Sequence, residues 1–175
     1  MNNQVETSIK TDIMRYKANQ TSFLLCVLAI ILNVAMFLII YTETNCSPSY
    51  LLGIDLIINV VFMLAAFLVS EKSKAYNAMG GVAGIVLGVI EIVRILFIPL
   101  QYYNFNLLYL KAVEEAEKAG QVLDYTGIVG LSQNQFYWCA GLMLLAGAAL
   151  IISGIITIAK SNQLKRHLAL IEGKE

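Results

Sequence analysis

The chain has 175 residues and a formal net charge of zero, with 12 basic and 12 acidic side chains. Its apolar fraction of 58% exceeds the roughly 45–50% of soluble domains, and its charged fraction of 14% falls below their ~25%. That leaves no room for a separate soluble domain, and the basic residues are too few and too scattered for nucleic-acid binding.

The opening segment, residues 1–22, carries Lys10, Arg15 and Lys17. Val5, Ile9, Ile13 and Met14 recur at roughly helical spacing among them, which fits a short amphipathic helix on a membrane surface or a solvated basic tail. The first apolar run, Phe23–Tyr41, is longer than a signal-peptide core, and no small-x-small pattern follows it, so it is expected to be a retained helix. Its neighbours are Leu51–Val69, Gly80–Ile98 and Phe136–Ala159. A hydrocarbon core takes about 20 helical residues, so each run is long enough to cross one. The expected fold class is therefore all-α: a single membrane domain, an antiparallel bundle of four transmembrane helices.

The links between the runs set the expected orientation. Thr42–Tyr50 has no Lys or Arg, whereas Glu71–Asn77 carries Lys72 and Lys74, and residues 160–175 carry Lys160, Lys165, Arg166 and Lys174. The positive-inside tendency puts both tails and the second link in the cytoplasm, most simply at the plasma or cytoplasmic membrane. Tyr41, Tyr50, Tyr102, Tyr103, Phe136, Tyr137 and Trp138 then gather at the outer boundary, where such rings anchor helices. The outer loop, residues 101–135, contains a candidate amphipathic helix over Leu107–Ala119, with Asn106 as its cap and Gly120 as its stop. Gln121–Gln135 reads as a loop. In the C-terminal tail, Leu164, Leu168 and Ile171 are spaced four and three apart, inviting the same two readings as the N-terminal segment.

Polar residues inside the runs are the sharpest functional clue: Asn33 in the first, Asp55 and Asn59 in the second, Glu91 and Arg94 in the third. Charges at membrane depth cost about 2.5–3.5 kcal/mol each on insertion scales, so they face protein or water and find partners. Counting turns from the outer ends puts Asp55 level with Arg94, and Glu91 one turn deeper with Asn59 and Asn33. The expected arrangement has two tiers, an Asp55–Arg94 pair above and Glu91 with the two amides below, with a formal charge of −1 if all groups ionise. Glu91, the deeper acid, is the candidate to hold a proton. The cluster serves as a register-fixing ion pair and amide group, as a protonatable site on a transport route, or as a docking point for another subunit's charge.

Gly80, Gly84 and Gly88 lie four apart on one face of the third run, beside Gly81, and the fourth run offers Gly147, Ala149, Ser153 and Gly154. Such rows let helices approach closely, within one chain or between copies. Cys26, Cys46 and Cys139 lack metal-ligand spacing, and Cys46 and Cys139 fall near the outer side, where a disulfide is conceivable. Asn45-Cys46-Ser47 matches a glycosylation sequon. His167, in the basic C-terminal tail, reads as solvated.

There is no phosphate-binding loop and no nucleophile motif. The chain is accordingly expected to be neither an enzyme nor cofactor-dependent. The favoured role is an accessory or assembly subunit of a larger membrane complex, partnered by other membrane subunits or by itself. The alternative is a small transporter or channel component using Glu91. In having four spans and one deep acid the chain resembles the small multidrug-resistance transporters. Those are shorter, have no long outer loop and carry their acid in the first helix, where this chain has none, so it is not assigned to that family.

Overall fold

A computed structural model of the chain describes Ile9 and residues 11–43, 50–120 and 130–171. Among these residues the structure is all-helical, with α1 Gln20–Glu43, α2 Tyr50–Lys74, α3 Ala78–Arg94, α4 Pro99–Lys118 and α5 Gln133–Ile171. Four helical stretches are long and apolar enough to cross a membrane: Gln20–Thr42, Tyr50–Lys74, Ala78–Lys118 and Gln133–Ile171. Cys46 and the Asn45–Ser47 sequon lie outside the described residues, and so does any pairing of Cys46 with Cys139. Most of the N-terminal residues 1–10 lie outside them as well.

Each helix boundary has a local cause. α2 stops because Tyr76 adopts the left-handed conformation (φ 54°), while the Asn77 and Tyr76 amides donate to the carbonyls of Lys72 and Ser73. That pair of bonds is a Schellman closure, which glycine usually provides. Asn77 then caps α3, its side chain accepting from the Met79 amide at 2.9 Å. α3 is interrupted after Arg94 because Pro99 has no N–H to give the Ile95 carbonyl. The Leu100 amide takes that carbonyl instead, at 3.2 Å, and the chain bends through residues 95–98 into α4. The helix expected from Leu107 therefore begins at Pro99, and Asn106 sits inside it rather than capping it. Its end is as expected, at Gly120 (φ 68°). α5 opens on a reciprocal cap: the Ser132 amide donates to Gln135 Oε1 at 2.7 Å, and the Gln135 amide to Ser132 Oγ at 3.4 Å. The helix consequently starts before Phe136, and it continues to Ile171 without a break at Ala159.

The long helices touch in the order α1, α2, α3, α5 and back to α1, while α2 and α5 barely meet. Asn19, just before α1, and the α1 residues Ser22, Cys26, Ala29, Asn33, Met36 and Ile40 are buried and alternately three and four residues apart. α2 repeats the pattern in Asp55, Asn59, Phe62, Ala66, Val69 and Ser73, and α5 in Cys139, Met143, Ala146, Leu150, Ser153 and Thr157. This is the seam spacing of helices packed at a shallow angle. It divides the interior into layers. One apolar layer, at the end where α3 passes into α4, holds Met36, Ile40, Ile98, Tyr102, Leu131 and Met143. A middle one holds Ala29, Phe62, Ala66, Val69, Ala146 and Leu150.

α3 and α5 approach closest. A Cβ added at Gly88 would lie 2.6 Å from the Gly147 carbonyl, and one at Gly81 would lie 2.8 Å from the Gly154 carbonyl. The two glycine pairs are seven residues apart on each helix, two helical turns, so they recur on one face. The glycine row is thus spent inside the chain, with Gly80 set against Lys72 and Ser73 of α2.

Candidate functional site

The candidate site begins with a local event on α3. Glu91 and Arg94 are three residues apart, one turn, so their side chains meet without any tertiary help. Arg94 NH1 donates to Glu91 Oε2 at 2.6 Å, with Glu91 fully buried and Arg94 nearly so. Two further helices close on this pair. Asn33 of α1 donates through Nδ2 to Glu91 Oε1 at 2.7 Å and accepts from Arg94 NH1 at 3.3 Å. Because Arg94 can only donate, it fixes which way the Asn33 amide points. Asn59 of α2 accepts from Arg94 NH2 at 3.0 Å. The face of the guanidinium lies 4.6 Å from the Phe62 ring centroid, a cation–π contact that covers the unpaired Nε.

The arrangement differs from the two-tier expectation in one essential way: Arg94 bonds Glu91, not Asp55. Asp55 is held instead by the Tyr102 hydroxyl, which donates to Oδ2 at 2.9 Å. Tyr102, expected among the boundary anchors, is 1% exposed. The bend at Pro99 turns the first turn of α4 so that Tyr102 reaches Asp55, near the start of α2. The other boundary aromatics behave differently. Tyr41, Tyr50, Tyr137 and Trp138 are exposed, and Tyr103 stacks on Phe136 with centroids 5.1 Å apart.

Electrostatically the inner part of the site is closed. One carboxylate meets one guanidinium, both Glu91 oxygens accept bonds, Asn33 both donates and accepts, and Asn59 accepts. Such bonds are what a buried pair needs, and Arg94 Nε, under the Phe62 ring, is the one atom of the pair left without one. Asp55 sits apart with a neutral donor. The Tyr102→Phe variant is expected to lose about 1–3 kcal/mol of stability, because it strips a buried acceptor of its donor. Thermal unfolding of the full chain in detergent, followed by circular dichroism, checks this. Melting indistinguishable from the parent would remove the hydroxyl from the network.

A second polar group, which the sequence reading did not single out, joins the opposite helix ends. Asn19 donates through Nδ2 to Ser22 Oγ (2.8 Å) and to the Ser73 carbonyl (3.3 Å), and accepts from Lys160 Nζ at 2.9 Å. Its own amide donates to the Lys74 carbonyl at 3.0 Å. One amide side chain therefore ties α1, α2 and α5. Deeper in, Ser153 Oγ donates to the Ser22 carbonyl at 2.8 Å and lies 3.2 Å from Cys26 Sγ. The middle apolar layer separates this group from the Glu91 cluster.

At the chain ends, Gln163 Nε2 donates to Thr11 Oγ1 at 3.0 Å, and His167 Nε2 lies 3.8 Å from Asp12 Oδ1. His167 is 14% exposed, so it is largely covered by the N-terminal segment rather than solvated. Among the described residues no group of three His, Cys, Asp or Glu is placed to hold a metal ion. No family model, no curated protein and no solved structure matches the chain.

Proposed function

We propose that this chain is a non-catalytic integral membrane protein, an accessory or assembly subunit of a larger membrane complex. In this reading the helices form an antiparallel four-span bundle with both termini in the cytoplasm. The exposed surface supports insertion: Leu24, Ile31, Val61, Leu64, Val82, Leu145 and Ile152 point outward from four different helices. A continuous apolar girdle of that kind is untenable in water and ordinary in lipid. Orientation rests on the Lys and Arg distribution, which favours the end bearing Lys17, Lys72, Lys74, Lys160 and Lys165 as the inner one.

The observation that favours the subunit reading over transport is the closure of Glu91. A coupling carboxylate on a transport route must exchange its proton or ion with water. Glu91 has no exposed surface, and both of its oxygens are engaged by Asn33 and Arg94. Toward the inner end, the apolar layer around Ala29, Phe62 and Leu150 stands between it and the Asn19 group. These features weigh against the transporter alternative, in which Glu91 would load and release cargo. They fit a clasp that holds α1, α2 and α3 in register so that the outer surfaces can be presented to other chains.

The test is purification of the tagged full chain from its native membranes, at native expression level and in mild detergent. The expected result is recovery of the same membrane chains in constant proportion. Recovery of the chain alone as a monomer would overturn the subunit reading.

A further inference from the structure

Between α2 and α3, on the outer surface of the chain, runs an apolar groove of about 520 Å³. Its walls are Leu68, Val82 and Val86, and its floor is formed by the small side chains Ala65 and Ala83 with Val69. The groove has a structural cause. The glycine pairs draw α3 against α5, and α3 meets α2 along the buried line Lys72–Gly80, Val69–Gly84 and Asn59–Arg94. The groove lies beside that line, on the exposed side of the two helices, where Leu68, Val82 and Val86 face outward.

From Met79 to Leu87 the groove follows α3 for ~12 Å, at 1.5 Å per residue. A leaflet of the hydrocarbon core is ~15 Å thick, half of the usual ~30 Å. The groove thus begins at the helix end and runs most of the way to the midplane. Ala65, Leu68 and Lys72 are three and four residues apart and share a face of α2, and the Lys72 Cβ sits against Gly80, next to the lining residue Met79, which puts Lys72 beside the groove's open end. Lys74, two residues on, is already occupied, lying 3.7 Å from Glu71 and 5.0 Å from the Phe23 ring. Lys72 is exposed and is paired with no acid among the described residues.

We infer that this groove is a binding site for an anionic phospholipid, with one acyl chain lying against Ala65 and Ala83 and the phosphate held by Lys72. The inference rests on the membrane reading above and on the basic end being the cytoplasmic one. An apolar channel directed along the membrane normal takes a chain, and an unpaired cation at its mouth selects a negative headgroup over a zwitterionic one. A basic residue in contact with the bound headgroup discriminates lipids in this way, by about fivefold at the surface potential of an anionic leaflet.

The test uses the full chain reconstituted into vesicles of phosphatidylcholine mixed with phosphatidylglycerol, then released into the gas phase for native mass spectrometry. Phosphatidylglycerol is expected to stay bound in preference to phosphatidylcholine. Lys72→Gln should lower that retention about fivefold, and Val86→Trp, which fills the groove from an exposed position, should abolish it. Lys165→Gln, on the same end and away from the groove, should leave it unchanged. Should Val86→Trp fail to fold, Met79→Glu at the exposed mouth asks the same question by charge repulsion. Equal retention of the two lipids, equal effects of Lys72→Gln and Lys165→Gln, or full retention by the groove variants would overturn the site. A chain that never enters the vesicles would overturn the membrane reading with it, whereas one that inserts and shows no lipid preference overturns the site alone.

Discussion

Glu91→Gln is expected to destabilise the chain by about 3–5 kcal/mol, the usual cost of leaving one member of a buried ion pair uncompensated. The substitution preserves shape and a hydrogen-bonding oxygen, so the loss reports on charge. Arg94, held between Asn33, Asn59 and Phe62, would keep a buried positive charge without the carboxylate that is hydrogen-bonded to it. Arg94→Met should cost a similar amount by stranding the Glu91 carboxylate. The double variant Glu91→Met with Arg94→Met removes both charges and keeps the volume. It is expected to recover most of the loss, because well-packed apolar replacements of buried pairs are often neutral. Unfolding of each full-length variant in detergent, followed by circular dichroism, gives the three values. A double variant as unstable as the sum of the singles would show that the two residues do not act as a pair. The same double variant separates the two functional readings. As a clasp, it should still co-purify the partners recovered by the parent. As a transport carboxylate, Glu91 would take function away while the fold survived.

The second large effect belongs to the glycine pairs. Gly88→Ala and Gly147→Ala are each expected to cost about 1–3 kcal/mol, the range for overpacking a tight interface. A Cβ at Gly88 would stand 2.6 Å from the Gly147 carbonyl, and one at Gly147 would stand 2.8 Å from the Gly88 carbonyl. Backbone atoms cannot turn aside as a side-chain tip can, so α3 and α5 must move apart. Once they have done so for one methyl, the second is partly accommodated, and the double substitution should cost less than the sum. Gly53→Ala and Gly141→Ala supply the control. A Cβ at either position meets nothing within 4 Å. Each should gain about 0.5–1 kcal/mol from the reduced backbone entropy of alanine. Equal destabilisation at all four glycines would show that the loss comes from something other than the α3–α5 approach.

How far the candidate site was legible depends on the range of each interaction. Asn33, Asn59, Glu91 and Arg94 stood out because polar side chains are rare in apolar runs, and turn counting put them near one level. Choosing partners by level alone set Arg94 opposite Asp55. That choice overlooked the shorter connection, since Glu91 is one turn away on the same helix and needs no second element to reach it. Asn19, Ser22 and Ser153 escaped notice for a different reason. Serine and asparagine near a run's end resemble ordinary caps and flanks, and only the three-four spacing of the α1 seam ties Asn19 to Cys26 and Asn33. Ser132–Gln135 fits a capping-box spacing, yet in the sequence these residues read as the end of a loop, and the helix starts within them at Gln133. Pro99 was visible as a break, but where a bent chain carries its next side chain is not a local property.

By itself the sequence determined that four helices are long and apolar enough to cross a bilayer, because hydropathy adds residue by residue along a segment and needs no partner. It also determined which helix faces carry polar groups, since a fixed rotation per residue turns spacing into direction. Tertiary structure alone decided that Tyr102 answers Asp55, that Asn33 and Asn59 converge on Arg94, and that the glycines of α3 meet those of α5. Those outcomes depend on how each rod is rotated about its own axis and how closely it is seated against the next. Rotation and seating are set by the summed packing of all the helices at once, a quantity that no single segment contains.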